Sequence, residues 1–415
     1  MLLTREAVAG SVRSMNSHHS PRRVSFLLNS MAAGGAETQA RLLTKSVDRR
    51  RCEPHLAWYN TTESFHQPPE GVTAGPLPRR SRFDPGFFSA LRQLSSRTHT
   101  DVLYAWQSTP AIYATTMRLL PGSAPIITAI RHSATLFAEH RNSNLLHPIA
   151  SRVGDHTTVN CQDVIPWLEA RGVPRSRITY IPNLLAPHLF QREVSTPAQR
   201  AALLTRLGLD PARPPITQVG RVDVNKNAHG LLQAILELRA SGFEVPPLLL
   251  VGRLVDDALI AQLRKMAADA AYTDLHIHAP IQDVPTLMEA SRVVALASHS
   301  EGTPNVVLEG MALGSVVVAT QVGEVPNMIQ HGHNGLSCRA GDVQQLAIEV
   351  KTALGMTAAA RHKMGDRARA DTRARHAPEA VLPQLYDLFD AVATRSHSPW
   401  IRPRTLLPPL TSFRR

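Results

Sequence analysis

Two glutamates flank the start of a predicted helix in the stretch HSEGTPNVVLEGMALGSVVVAT. The apolar run RVVALAS predicts a strand just before it, and Thr303 followed by Pro304 predicts a helix N-terminus with Thr303 as the N-cap. Glu301 would then lie in the loop before the helix, and Glu309 would share a helix face with Asn305. The segment therefore predicts carboxylates on both sides of a helix N-terminus.

The chemistry that suits this arrangement is binding of a diphosphate with a hydroxylated group at each end. The unpaired N–H groups of a first helical turn, aided by the helix dipole, attract an anion. Carboxylates beside that anion can accept hydrogen bonds from hydroxyls, which a sugar on one side and a ribose on the other would offer. The pattern therefore favours a nucleotide-sugar site, although such a pair of glutamates alone is more often a pair of surface charges.

Two further segments carry residues that could serve such a site. GGAE, from Gly34 to Glu37, is a glycine-rich turn between the strand VSFLLN and a helix. Because Gly34 and Gly35 have no Cβ, the backbone there can approach a ligand closely. VGRVDVNKN places Arg221 and Lys226 in the loop after a strand.

A histidine at a strand end, His132 in TAIRHSA, is a further candidate, and Arg131 beside it is the competing choice. The other histidine clusters lack acidic or cysteine companions at ligand spacing, so no metal site is predicted. No D-x-D triplet occurs in the sequence. This argues against a metal ion held by such a triplet.

Length and composition restrict the class of protein. The 415 residues favour two domains, and 43% hydrophobic with 19% charged residues is typical of a globular protein. The net charge of +12 indicates an anionic partner, but aromatic residues are only 5% and no nucleic-acid-binding module is recognised, which disfavours nucleic acid. The three well-separated cysteines indicate reduced thiols in the cytoplasm, and no apolar run is long enough to span a bilayer.

Short apolar runs alternate with helical segments along the chain, which predicts parallel sheets covered on both faces. The runs are VSFLLN, VLYAW, PIITAI and ITYIPN, then PITQVG, PLLLVG, LHIHA, RVVALAS and SVVVAT. The predicted organisation is a disordered lead-in at 1–20, an N-terminal domain at 21–190, a linker at 191–215, a C-terminal domain at 216–375, a C-terminal helix at 376–394 packing back on the N-terminal domain, and a basic tail at 395–415.

The stretch from SEGTPNVVLEG through VGEVPNMIQHGHNGLSCRAGD resembles the signature of glycosyltransferase family 4, retaining enzymes with the GT-B fold. GGAE, VNCQDVIPWLEARGVPRSRITYIPN and VGRVDVNKN match further family segments in the expected order. The resemblance implies an α/β fold in which two Rossmann-like, doubly wound parallel-sheet domains face each other across a cleft. The N-terminal domain would bind the acceptor and the C-terminal domain the nucleotide sugar, with no metal and no cofactor.

Site residues follow from the resemblance one by one. Catalytic roles are implied for Glu301, His132, Arg221 and Lys226. Donor contacts are implied for Gly34, Gly35, Arg221, Lys226, Glu301, Gly302, Thr303, Asn305, Val306 and Glu309. Arg221 and Lys226 would stabilise the departing diphosphate, Glu301 would bind the sugar hydroxyls, and Glu309 would bind the ribose.

The chain departs from the family pattern at a few positions. Leu184 and Glu324 stand where the family usually has glycine, and Asn327 stands where it has an acidic residue. Ala279-Pro280 occupies the place of another glycine. These departures concern the acceptor side and loop geometry more than the donor side.

The implied function is a metal-independent hexosyltransferase. It would move a hexose or N-acetylhexosamine, with retention, from a UDP- or GDP-linked sugar to a glycan or lipid-linked acceptor in cell-surface polysaccharide biosynthesis. We expect a cytoplasmic protein, and the basic tail, with Trp400 and Phe413 among arginines, leaves open docking on an anionic membrane at the inner face of the plasma membrane. Two alternatives stay open: a nucleotide-sugar epimerase of GT-B architecture, and a catalytically degenerate nucleotide-binding partner subunit.

Overall fold

The protein is described by a computed structural model. It describes residues 20–32, 34–61, 67–77, 79–81, 84–119, 122–135 and 141–395. The predicted lead-in and basic tail lie outside these residues, apart from positions 20 and 395. None of the helices in the described ranges is long and apolar enough to cross a membrane.

The first half of the described chain forms a parallel sheet in the order β3-β2-β1-β4-β5-β6-β7. Its strands are β1 Arg22–Ser30, β2 Cys52–Asn60, β3 Thr73–Pro76, β4 Val102–Trp106, β5 Ile126–Ile130, β6 His156–Val159 and β7 Ile178–Tyr180. Its helices are α1 Gly35–Ser46, α2 Pro85–Arg97, α3 Ser108–Thr116, α4 Arg141–Val153 and α5 Val164–Glu169, with 3₁₀ turns at Met117–Leu119 and Arg175–Arg177. Both faces are covered, because Phe26 packs in one apolar cluster and its neighbour Leu27 in another.

The second half forms a parallel sheet in the order β10-β9-β8-β11-β12-β13. Its strands are β8 Ile216–Val219, β9 Leu248–Val251, β10 Leu275–His278, β11 Val293–Leu296, β12 Val317–Thr320 and β13 Leu336–Cys338. Its helices are α6 Pro187–Gln191, α7 Pro197–Arg206, α8 Ala228–Ala240, α9 Asp257–Asp269, α10 Val284–Ala290, α11 Asn305–Ala312, α12 Val325–Met328, α13 Val343–Gly355 and α14 Ala358–His376. Alternate residues of β11 face opposite clusters, so the prediction of two doubly wound parallel sheets is confirmed.

The stretch predicted as a linker carries helix α7. Thr196 and Gln199 form a capping box at its start, which satisfies two unpaired backbone N–H groups. Leu203 and Leu204 then pack with Leu249 and Leu287 of the second half. The apolar side of this segment therefore belongs to the second sheet.

The chain crosses back to the first sheet in its last described helix, α15 Pro378–Arg395. The Phe389 ring packs against Tyr104 with centroids 5.7 Å apart, and Arg22 Nε donates to Asp390 Oδ1 at 2.6 Å. The chain passes from the first half to the second near Leu185 and returns near His376. These two connections are in contact, because Leu185 N donates to the carbonyl of His376 at 2.9 Å. The halves are therefore joined by two adjacent connections.

Candidate functional site

Lys226 and Glu301, which are 75 residues apart in the sequence, meet between the loops after β8 and β11. Lys226 Nζ lies 2.5 Å from Glu301 Oε1, and their side chains are 16% and 14% exposed. Ser298 Oγ donates to the same carboxylate oxygen at 2.7 Å. The structure thus brings together two of the predicted catalytic residues and adds Ser298, which sequence reasoning had not singled out.

Two glycines allow the Lys226 loop to lie close to the neighbouring strand end. Gly220 and Gly252 have φ of +149° and +155°, in the region that favours glycine. A Cβ on Gly252 would lie 1.8 Å from the Gly220 carbonyl oxygen. Within the loop, Asp223 Oδ1 accepts from the Lys226 backbone N–H at 2.8 Å, which fixes the turn.

Arg221 lies at the rim of the same loop with its side chain half exposed. Its Nη2 is 3.1 Å from Asp223 Oδ2. Both predicted phosphate-binding cations are therefore matched by a carboxylate, Lys226 by Glu301 and Arg221 by Asp223. An incoming diphosphate would share these cations with acids already in place.

Helix α11 begins at Asn305, and the prediction that Thr303 is its N-cap is wrong. Pro304 is the capping residue and makes no side-chain cap. The Thr303 hydroxyl donates instead to the Asn160 carbonyl of the first half. Burial of Thr303 between the halves explains the difference, because the nearest acceptor for its hydroxyl belongs to the facing domain.

Glu309 lies on the face of α11 that it shares with Asn305, as predicted. No hydrogen-bond or ion-pair partner of its carboxylate is found among the described residues. Burial raises the pKa of Glu309 to about 7, because a charged carboxylate is penalised where solvent is excluded. Val306, by contrast, is buried in the apolar cluster, so only its backbone could contact a ligand.

Glu309 and Asn305 line a cavity of about 870 Å³ between the halves. Gln282, Val284, Met288 and Leu313 contribute its second-half wall. Its first-half wall is formed by α1 and residues 67–70. Slightly more than half of its lining residues are apolar, and the polar remainder includes the charged side chains of Arg41, Lys45 and Glu70. A concave site of this mixed composition suits a small organic ligand that carries polar groups.

Gly34 and Gly35 serve different purposes. Gly34 is the N-cap of α1, and a Cβ there would lie 2.3 Å from Glu37 Oε2. Gly35 faces the second half, with its hypothetical Cβ 3.8 Å from Asn305 Nδ2. The GGAE turn therefore lies against the start of α11.

Neutral amides join the two halves behind that turn. Asn305 Oδ1 accepts from Asn183 Nδ2 at 2.8 Å and from Gln39 Nε2 at 3.3 Å. The Asn305 side chain is thus engaged within the protein. Sequence reasoning did not single out Gln39 or Asn183, because a pairing between residues 144 positions apart is not visible in either local segment.

Gly302 forms a backbone contact between the halves. A Cβ there would lie 2.9 Å from the Arg131 carbonyl oxygen and 3.1 Å from the His132 Cα. The structure therefore brings the predicted N-terminal histidine beside the loop that carries Glu301. His132 is half-buried and lies near His147.

The Arg131 side chain is engaged inside the first half. It is 7% exposed, stacks 3.8 Å from the centroid of Trp106 and donates through Nη2 to Tyr104 Oη at 3.2 Å. Burial lowers the pKa of Arg131. Of the two neighbouring candidates, Arg131 therefore has its side chain committed to the interior of the first half.

Two family descriptions match the chain, and each covers one half. "Glycosyltransferase Family 4" matches residues 33–187, and "Glycosyl transferases group 1" matches residues 213–355. Together these matches span well over half of the chain, in the order of the two sheets.

Individual relatives match the chain at modest sequence identity and over only part of its length. D-inositol 3-phosphate glycosyltransferase of Rhodococcus jostii (strain RHA1) is 35% identical over 34% of this chain and 32% of its own length. The Rhodococcus erythropolis protein of that name is 27% identical over 63% of this chain and 59% of its own. N-acetyl-alpha-D-glucosaminyl L-malate synthase of Bacillus anthracis is 23% identical over 74% and 79%. The chain thus spans about a third of the first relative's length.

Solved structures share the fold. Anabaena Alr3699/HepE in complex with UDP aligns with a TM-score of 0.78 at 18% identity, over 89% of this chain and 100% of that one. Sucrose-phosphate synthase from Thermosynechococcus elongatus aligns with a TM-score of 0.77 at 17% identity, over 91% and 100%. The GT-B fold expected from the sequence is confirmed, and the chain belongs to glycosyltransferase family 4.

Proposed function

We propose that this chain is a retaining glycosyltransferase that moves a hexose or N-acetylhexosamine from a UDP- or GDP-linked sugar to a glycan or lipid-linked acceptor. The proposed setting is cell-surface polysaccharide biosynthesis in the cytoplasm. The observation that carries the proposal is the meeting of Lys226, Glu301 and Ser298 beside the start of α11. Family membership supports the reaction class.

The donor would lie with its diphosphate between the cations of the β8 loop and the first turn of α11. Arg221 and Lys226 would neutralise charge on the leaving nucleotide, which is the largest need in this reaction, and no metal ion is proposed. Glu309, on the adjoining face of the cavity, would bind the ribose hydroxyls. Glu301 would then exchange part of its contact with Lys226 for hydroxyls of the sugar.

Retention is proposed to follow from attack on the face from which the nucleotide departs. The acceptor hydroxyl would enter from the first half, near His132. No protein nucleophile is required in an ion-pair path of this kind, so the role of the side chains is to stabilise the departing diphosphate and hold the sugar.

The support is stronger for the donor than for the acceptor. Similar structures are described as complexes with UDP, with UDP and glucose, and with UDP-glucose. The relatives are named for inositol 3-phosphate and L-malate, whereas two similar structures are named for lipopolysaccharide biosynthesis. Small anionic acceptors therefore belong in any acceptor screen beside glycans and lipid-linked sugars.

The first test is a thermal-shift and NMR screen against UDP-, GDP- and ADP-linked sugars. We expect a UDP- or GDP-sugar to stabilise the chain, and Lys226→Ala to weaken its binding about 100-fold because a charge-assisted contact is lost and Glu301 is left unpaired. Lys265→Ala is the matched control, since that exposed lysine pairs with Asp269 on helix α9. Equal binding by Lys226→Ala and the wild type would contradict the proposed site.

Product analysis by NMR then separates the reaction classes. A transferase forms a product only with an acceptor and keeps the anomeric configuration of the donor. An epimerase alters the sugar with no acceptor present. Binding without any product would favour the degenerate partner-subunit alternative.

A further inference from the structure

Glu324, one of the departures from the family pattern, lies where the two halves meet. It follows β12 and is 1% exposed. Its Oε2 accepts from the Gln162 backbone N–H at 2.7 Å, and its Oε1 accepts from Gln162 Nε2 at 3.2 Å. The Tyr180 and Cys161 side chains are also hydrogen-bonded to this carboxylate. All three partners belong to the first half, so the side chain of Glu324 reaches across the cleft.

The backbone of the same residue holds the loop that carries Glu301. Glu324 N donates to the Gly302 carbonyl at 2.8 Å. Gly323 has a φ of +53°, and a Cβ there would lie 2.1 Å from the Gly302 oxygen and 2.2 Å from the Glu301 oxygen. The two loops are therefore in direct backbone contact.

A purely structural role would be served better by an uncharged residue. A buried carboxylate is costly unless hydrogen bonds or cations compensate it, and no ion pair of Glu324 occurs among the described residues. Burial accordingly raises the pKa of Glu324. The hydrogen bonds that compensate it come from the facing domain and exist only while the halves are closed.

Glu324 and Asn327 also line a second cavity, of about 370 Å³, at the junction of the halves. Tyr180 and Gln162 of the first half border it, together with Arg375 at the end of α14. Two departures from the family pattern thus meet in one place, beside the connections between the halves. Glu324 contacts both the facing domain and the Glu301 loop through the bonds described above.

We propose that Glu324 is a positioning residue that couples closure of the two halves to the placement of Glu301 for the sugar. Docking of its carboxylate on Gln162 fixes Glu324, and the backbone bond to Gly302 passes that position to the loop before α11. This inference rests on the proposed function, because the reacting sugar is the group that Glu301 would hold.

Hydrogen–deuterium exchange of the free protein tests the coupling without any substrate. In Glu324→Ala, amides in residues 299–305 are expected to exchange about tenfold faster than in the wild type, because the contact that closes the loop is lost. Glu349→Ala is the matched control, since Glu349 is also buried, at 7% exposed, but lies in the second half on α13, near His331. Unchanged exchange in Glu324→Ala, or the same increase in Glu349→Ala, overturns the proposal.

Binding and kinetics separate positioning from simple stabilisation. Glu324→Ala should bind the nucleoside diphosphate within about twofold of the wild type, yet lose about tenfold or more in kcat with the nucleotide sugar. Glu324→Gln should recover most of kcat, because its amide oxygen can still accept from the Gln162 N–H. Equal losses of diphosphate affinity and kcat, in step with the melting temperature, would mean a structural role only. If the wild type turns over no donor, the proposed function fails, and the exchange result still decides the coupling.

Discussion

The two walls of the cleft differ in the kind of contact they offer. The second-half wall carries charges, with Lys226 paired to Glu301 and Arg221 to Asp223. The contacts that join the first half to this wall are uncharged: backbone at Arg131 and His132, and neutral amides such as Gln39. Neutral hydrogen bonds can break and reform with a smaller desolvation penalty than ion pairs. We therefore expect binding of an anionic ligand to depend mainly on the charged pairs and closure mainly on the neutral contacts.

Adding a methyl group at Gly302, where the backbones of the two halves touch, should have the largest effect on closure. In Gly302→Ala the new Cβ would lie 2.9 Å from the Arg131 carbonyl oxygen, which is backbone and cannot move aside cheaply. We expect the halves to stay apart, with transfer about 100-fold slower because the reacting groups are misplaced. Nucleoside diphosphate affinity should change little, since the charged wall is intact. Steady-state kinetics measure the rate of transfer, and small-angle scattering measures whether the two halves of the protein stay apart.

Gly355→Ala is the control for that variant. A Cβ at Gly355, at the end of α13, would meet nothing within 4 Å. Its kinetics and radius of gyration should match those of the wild type. If Gly302→Ala closes and turns over normally, the contact with Arg131 does not limit closure.

Substituting Glu309, which lies on the second-half side of the cavity, should stabilise the fold but weaken donor binding. Burial raises the pKa of Glu309 to about 7 from an ordinary value of 4.5. The folded chain therefore holds this proton at pH values where the unfolded chain has released it, so stability falls as the pH rises from 4.5 to 7. Glu309→Gln should raise the free energy of unfolding at pH 8 by about 2 kcal/mol, with little change at pH 4. Urea denaturation at both pH values measures this.

The same substitution should weaken the donor about tenfold at pH 8, because an amide accepts a weaker hydrogen bond from a hydroxyl than a carboxylate does. Titration calorimetry with the nucleotide sugar measures the loss. Glu237→Gln, at an exposed position on α8 bonded to Gln233, should change neither quantity. If the gain in stability of Glu309→Gln over the wild type is no larger at pH 8 than at pH 4, the raised pKa is refuted.

The smallest effect is expected at the GGAE turn. In Gly35→Ala the new Cβ would lie 3.8 Å from Asn305 Nδ2, an ordinary contact distance. Alanine also favours the helix that begins there. We expect kcat/KM within about threefold of the wild type and an unchanged melting temperature. A loss of more than tenfold would show that the turn must approach a ligand more closely than this structure requires.

Nine of the strands in the described ranges could be predicted because each contains a short apolar run. Strand β6, which has no such run, is instructive, since His156–Val159 contains two threonines and does not stand out as a buried strand. The Thr157 hydroxyl is hydrogen-bonded to Thr128 on the adjacent strand β5, and the Thr158 hydroxyl to Tyr104 on β4, one strand further along the sheet. A polar strand can thus lie inside a sheet when other strands of that sheet satisfy its hydroxyls, and those partners are unknown until the sheet is assembled.

In the candidate site too, residues in local motifs could be predicted from the sequence, whereas contacts between distant residues could not. Lys226, Glu301 and Glu309 stand in local motifs with recognisable neighbours, so they could be chosen from the sequence. The misassigned cap at Thr303 and the partner of Glu324 depend on residues 143 and 162 positions away. Contacts between domains leave no local pattern, and they include the contacts that close the cleft.

The return of α15 to the first sheet has a consequence for synthesis of the chain on the ribosome. The cluster that contains Val24, Phe26 and Tyr104 is completed by Leu385 and Phe389. The hydrogen-bond partner of Arg22, Asp390, likewise lies 368 residues later in the chain. The core of the second sheet draws on residues 216–364, so it is complete while the earlier domain still has an uncovered apolar face. The domain made first is therefore finished last, and during that interval its open face is the part of the nascent protein most in need of a chaperone.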